Sequence, residues 1–334
     1  MAQAESQLDE SGGDVDEEVE ARVGWRYTLA KIRRDATARI GLYIVAAVLF
    51  VAAFAAVDSN LSRLTFGAFE DFTAAEALPI FDHPTKIPPP GEGERNVPPA
   101  FLDGGTWSYP LGTDPQGRDY FTRIVYGSQV SVSVGLASTG IGLLGGTIVG
   151  AIAGYYGGWI DDVLMRGVET LYAIPPLVLI IVFTVFVSGG NPDIQYAVIG
   201  VGLAFIPVFA RIIRSRVLSV REMDYIEAAR AAGVRDREII RRHVIPNSFA
   251  PVLVYATLQI GVTILIVAGL SFLGYGAQPP TPDWGEMLRI AHGRYMHSNI
   301  WLSIWPGLAI LVTIMGFNLF GDGLQDALDP RIEE

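Results

Sequence analysis

Cysteine is absent from the chain, which excludes disulfides, thiol catalysis, iron–sulfur clusters and Cys-ligated zinc. Lysine is nearly absent: Lys31 follows Ala30 and Lys86 follows Thr85. A phosphate-binding P-loop needs Gly-Lys followed by Ser or Thr, so ATP hydrolysis by this chain is not expected. Histidine is scarce as well. His292 and His297 lie near one another, but their spacing places them on different helix faces, and an interfacial role is expected for them. Neither His-Glu-x-x-His nor a complete nucleophile elbow is present, since Gly269-Leu270-Ser271-Phe272-Leu273 lacks the closing glycine. No catalytic residue, metal site or bound cofactor is predicted.

Charge is sparse where the chain is apolar. Charged residues make up 18% of the sequence and apolar residues 50%. Six windows carry no charge: 40–57, 124–160, 170–192, 194–210, 244–282 and 298–321. Each can supply a stretch near the roughly 17–25 residues that a helix needs to cross the hydrocarbon layer. One such window alone could be a buried core helix; six in succession predict an all-α membrane protein with six transmembrane helices. Their centres hold no ionisable residue, whereas an ion-coupled carrier would be expected to place one there. Gln259 and Asn318 are polar but do not titrate.

The net charge of −11 is concentrated in the N-terminal tail (Glu5, Asp9, Glu10, Asp14, Asp16, Glu17, Glu18, Glu20) and in the loop after the first window, and no nucleic-acid partner is expected. Abundant arginine with an acidic excess suggests adaptation to a salt-rich cell interior, while codon bias in a GC-rich genome would explain the arginines but not the acids. Arg22, Arg26, Lys31, Arg33, Arg34 and Arg39 precede the first window and nine arginines fall between Arg211 and His243. The positive-inside rule then places both segments and the N-terminus in the cytoplasm, and with six spans the short acidic C-terminal tail returns there.

The expected organisation is an acidic tail and basic lead-in (1–39), a first span (40–57), an extracytoplasmic loop rich in Pro and Gly (58–123), a core with five spans (124–320) and a C-terminal tail (321–334). Gly142, Gly146, Gly150 and Gly154 recur every fourth residue and predict a smooth ridge for close helix packing. Pro175, Pro176, Pro207, Pro251 and Pro306 predict kinks.

Between the fourth and fifth windows lies a charged connector, 211–247. Within it, Asp224 to Gly233 reads as a short helix, with Asp224 and Glu227 as a capping box and Gly233 as the left-handed stop. A second helix is predicted to start near Asp236 and to end by Pro246. Spacing alone leaves two readings open: an amphipathic helix on the inner membrane face, or a docking element for a partner protein.

Glu227-Ala228-Ala229, Gly233 and Ile245-Pro246 resemble the EAA motif of ABC importer permeases. Two positions depart from the general pattern, with His243 where Ile is usual and Ile245 where Leu is usual, and these resemble the peptide and nickel branch. Further matches to that branch run through Pro110 to Asp119, Gly154 to Asp161, Leu270 to Gly274, Gln278 to Gly285 and Phe317 to Pro330. The resemblance implies the type I permease fold with a cytoplasmic coupling helix. It implies coupling to an ATPase through Glu227, Ala228, Ala229, Gly233 and Pro246, and import of di- or oligopeptides, nickel or sugars. The implied partners are a second homologous permease, two ATPase subunits that carry ATP and Mg, and an extracytoplasmic substrate-binding protein.

Overall fold

The computed structural model describes residues 31–65, 69–78, 80–89, 94–191, 193–294 and 298–328. The acidic N-terminal tail with Arg22 and Arg26, the loop positions Pro90, Gly91 and Gly93, Pro192, His297 and the last six residues lie outside the described part.

Among the described residues the fold is helical throughout. It contains α1 (Ala36–Asp58), the short α2 (Leu61–Leu64) and α3 (Thr73–Ala77), α4 (Tyr120–Tyr156), α5 (Gly158–Tyr172) and α6 (Pro176–Val187). These are followed by α7 (Ile194–Val220), α8 (Asp224–Ala231), α9 (Asp236–Ile239), α10 (Ile245–Phe272), α11 (Trp284–Arg294) and α12 (Trp301–Leu328). Five stretches, namely α1, α4, α7, Asp236–Phe272 and α12, are long and apolar enough to cross a membrane. The pair α5 and α6 qualifies as a sixth only as a broken span, bent by 90°.

That break falls where Pro175 and Pro176 interrupt the third window, and it is a sharp elbow whose first arm begins at Gly158, before the window at 170–192. Pro175 and Pro176 cannot donate backbone hydrogen bonds, and a residue before proline is pushed out of the α region. Pro175 is accordingly extended (ψ 127°), and α6 restarts with Pro176 in its first turn. The amphipathic α5 and the apolar α6 therefore leave the elbow in different directions. The helix that carries the last charge-free window extends beyond it: α12 runs to Leu328.

The glycine ridge governs the central packing. A β-carbon would stand 2.9 Å from Phe205 Cβ at Gly142, 2.8 Å from Ala210 N at Gly146, 3.0 Å from Arg214 N at Gly150 and 2.9 Å from Val217 Cβ at Gly154. All of these neighbours lie on α7, so the absence of side chains lets two backbones meet over about three turns. The main core then builds outward from this seam, with Phe205, Phe209, Ile213 and Val217 of α7 packed with Val252, Ala256, Val267 and Leu270 of α10.

Candidate functional site: the connector helix at one end of the bundle

The connector between α7 and α10 differs from its predicted form at two points. The residue preceding α8 is Met223 (φ −79°, ψ 142°), with no side-chain cap, and Asp224 is the first helical residue. Asp224 and Glu227 thus both lie in the first turn, where a carboxylate favours the helix dipole without closing a capping box. Pro246 does not end the second helix. α9 passes through a π-helical turn, Ile240–Val244, in which Ile245 N–H donates to Ile240 O, and continues into α10 with Pro246 in the first turn. The wider turn relieves the clash between a proline ring and the preceding helical turn. The result is a continuous rod of 37 residues from Asp236 to Phe272, about 56 Å at 1.5 Å per residue.

Gly233 takes φ 74° and stops α8, its N–H donating to Arg230 O at 3.0 Å while Val234 N–H donates to Ala229 O at 3.1 Å. That φ costs an L-residue with a β-carbon roughly 1 kcal/mol or more, and glycine avoids the cost. α8 is fixed to the bundle from one side. Ile226 is fully buried in the main core, where its side chain contributes about 1.5–3 kcal/mol, and Ala229 and Val234 pack beside it. Asp224, Tyr225, Glu227, Ala228, Arg230 and Ala231 are exposed. Their face is low in profile, with two carboxylates at the start of the helix and small side chains along it.

Polar contacts to the α4 end complete the anchoring. Tyr155 donates its hydroxyl to Asp236 Oδ1 at 2.8 Å, and the Arg230 guanidinium lies over the same ring at 4.9 Å. Arg221 donates to Gly154 O at 3.0 Å and to Glu222 Oε1 at 3.0 Å. Together with Tyr156 these residues line an open polar cleft of about 390 Å³. Nearby, Arg214 forks onto both oxygens of Asp161 at 2.6 and 2.5 Å, tying α7 to α5.

The structure therefore brings Glu227, Ala228, Ala229 and Gly233 together on one small element, with Pro246 lying at the start of α10, beyond the π-helical turn. Gly154, the last residue of the ridge, reaches the same place through Arg221. The sequence reading did not assign roles to Tyr155, Arg221 or Arg230, although Tyr155 stood in a quoted motif.

The opposite end holds a second feature missed by sequence reasoning, a buried ionic cluster. Asp114, Arg118 and Arg123 are almost fully buried; Arg118 pairs with Asp114 at 2.7 Å, and Arg123 lies 3.7 Å from the same carboxylate. Arg123 also donates to Pro84 O at 3.0 Å and Pro280 O at 3.3 Å, tying two separate loops to α4. Asp283 accepts from Ser131 Oγ at 2.8 Å and from Glu286 N–H at 3.1 Å, and burial pushes its carboxyl above the usual range. Among the described residues no group of three His, Asp or Glu side chains is placed to hold a metal ion. His292 instead lies against Phe272, with ring centroids 5.5 Å apart.

Residues 146–334 match the family model described as "Binding-protein-dependent transport system inner membrane component". The chain is 37% identical to the dipeptide transport system permease protein of Alkalihalophilus pseudofirmus, over 92% of this chain and 90% of that protein. It is 40% identical to the glutathione transport system permease protein of Pectobacterium atrosepticum, over 69% of this chain and 75% of the relative. The corresponding dipeptide permease protein of Haemophilus influenzae is 40% identical, over 71% and 79% respectively. In fold, a chain of an inward-facing methionine ABC transporter matches with a TM-score of 0.51 at 19% identity, over 63% of this chain and 97% of that one. With helices of membrane-crossing length, a tightly packed core and a family match over more than half its length, the chain belongs to the inner membrane components of binding-protein-dependent transport systems.

Proposed function

We propose that this chain is one of two related permease subunits of an ATP-driven importer for di- or oligopeptides. The observation that carries the reading is α8: a short helix anchored through Ile226, with Asp224, Glu227, Ala228 and Ala231 turned outward. A helix with small exposed side chains can seat in a groove on a partner, and its carboxylates and Arg230 fix the orientation. We assign that partner as an ATPase subunit, one of two that hold ATP and Mg. Peptides are favoured as cargo because relatives named as dipeptide and glutathione permeases share 37–40% identity with this chain.

The mechanism is rigid-body alternating access. Nucleotide binding draws the ATPase subunits together, and each carries the docked α8 with it. Ile226 and the Tyr155–Asp236 bond pass that displacement to α4 and to the rod beginning at Asp236. The cavity between the two permeases then changes from inward to outward facing, where a substrate-binding protein delivers the solute; hydrolysis resets the cycle. Both termini and α8 lie in the cytoplasm in this arrangement, and the 58–119 loop lies outside. Binding to the ATPase, delivery and translocation all occur without a catalytic group from this chain.

The test is uptake of a labelled dipeptide in cells depleted of ATP while the ion gradients are held. Uptake should stop. Continued uptake would identify an ion-coupled carrier, and uptake of nickel in place of the dipeptide would replace the substrate assignment alone.

A further inference from the structure

The segment joining Val97 to Thr113 is a tied loop with an unusual tip. Its ends are held by Thr113 N–H donating to Val97 O at 3.0 Å, Val97 N–H donating to Thr113 Oγ1 at 2.9 Å and Ala100 N–H donating to Pro110 O at 3.2 Å. Inside it, successive turns bond Leu102 N–H to Pro99 O and Gly105 N–H to Leu102 O at 2.9 Å each, and Tyr109 N–H to Thr106 O at 3.0 Å. A loop whose ends meet and whose turns are bonded presents its side chains from a fixed scaffold. Its large exposed side chains are apolar: Trp107 is 80% exposed, Phe101 64% and Leu102 44%, beside the smaller polar Asp103 and Ser108. Asp103 is the single charge between Pro98 and Gly112.

Two contacts place this loop against the side of the bundle. Phe101 meets Trp305 edge-on, with centroids 6.0 Å apart. Trp305 stands about 6 Å along α12 from its first residue. Leu111 lines an apolar groove of about 330 Å³ with Val48 and Val51 of α1 and Leu308 and Val312 of α12. Leu308 and Val312 are exposed on the flank of a membrane-crossing helix. The loop's apolar surface is thus continuous with an exposed apolar flank of a helix long and apolar enough to cross a membrane.

We propose that the Val97–Thr113 loop is an interfacial anchor, folded back onto the bundle so that Trp107, Phe101 and Leu102 sit in the headgroup and upper acyl region of the adjacent leaflet. Large aromatic side chains favour that layer, where an apolar ring and a polar N–H are both accommodated. The anchor would set the level of α4 in the bilayer, because Thr113 is bridged to Asp119, the residue that caps that helix. This assignment is independent of which solute is carried.

The lack of native cysteine allows a direct test. Trp107→Cys and, separately, Leu102→Cys would each be labelled with an environment-sensitive fluorophore in the assembled transporter, reconstituted in vesicles of phosphatidylcholine with or without bromine on the upper acyl chain. Brominated lipid should reduce the fluorescence at both positions by about twofold, and aqueous iodide should have little effect. Absence of quenching by brominated lipid at both positions would overturn the proposal. Strong iodide quenching would then assign the loop to solvent or to a soluble partner, and quenching by neither agent would assign it to a protein interface.

Discussion

The hydroxyl of Tyr155, at the end of α4, donates to Asp236 at the start of the rod that becomes α10, with Arg230 of α8 stacked on the same ring. One aromatic side chain thereby joins three elements: the glycine-ridged helix, the connector helix and the rod. A hydrogen bond to a charged group contributes about 1.5–3 kcal/mol. Tyr155→Phe should keep the ring contact and lose that bond. The expected outcome in proteoliposomes is ATP hydrolysis at near the normal rate with less solute carried per ATP.

Two substitutions act on α8 itself. Gly233→Pro forces φ near −65° at a position that stands at 74°, and Ala229→Arg drives a long charged side chain into a half-buried place beside Ile226. Both should insert normally in the membrane and lose uptake while leaving the assembled ATPase active. Undiminished uptake in both would remove α8 from the coupling path.

Packing of the ridge can be tested against a neighbouring glycine. Gly150→Ala adds a β-carbon 3.0 Å from Arg214 N and Ile213 Cβ, whereas one at Gly140 meets nothing within 4 Å. Overpacking costs about 1–3 kcal/mol, and Gly to Ala in an open helix position gains roughly 0.5–1 kcal/mol. Thermal unfolding in detergent should therefore show a lower Tm for Gly150→Ala and an unchanged or higher Tm for Gly140→Ala.

The buried cluster at the other end gives a signed prediction. Asp114→Asn removes the carboxylate shared by Arg118 and Arg123, and an unpaired buried charge costs about 3–5 kcal/mol. Expression and Tm should fall sharply. Adding Arg118→Met to Asp114→Asn should recover part of the loss, since one of the two stranded charges is then gone.

Much of this architecture was legible in the sequence because the bilayer imposes a length and a polarity on each span. The six charge-free windows follow from that constraint, and four glycines at a spacing of four define a helix face whatever packs on it. The 90° break was less legible: Pro175 and Pro176 signalled an interruption, but a bend angle depends on what α5 and α6 pack against. Pro246 misled for a related reason, since a π-helical turn absorbs a proline that an α-helical turn rejects. The Asp224 capping box failed by one residue, because Met223 already has the extended conformation of the position before the helix. The Asp114–Arg118–Arg123 cluster gave no periodic signal, because Asp114 and Arg118 pair across an irregular turn and Arg123 joins them from the first turn of α4.

Transport by this chain, as proposed, depends on α8 docking on an ATPase subunit. The most direct test is cross-linking from Ala228→Cys, a unique and exposed thiol in a chain without cysteine, within the assembled transporter in native membranes. The expected result is an adduct between this chain and the ATPase subunit, with no adduct from Arg95→Cys in the loop at the opposite end of the bundle. An Ala228→Cys thiol that reacts only with lipid-borne reagents and never with the ATPase would contradict it.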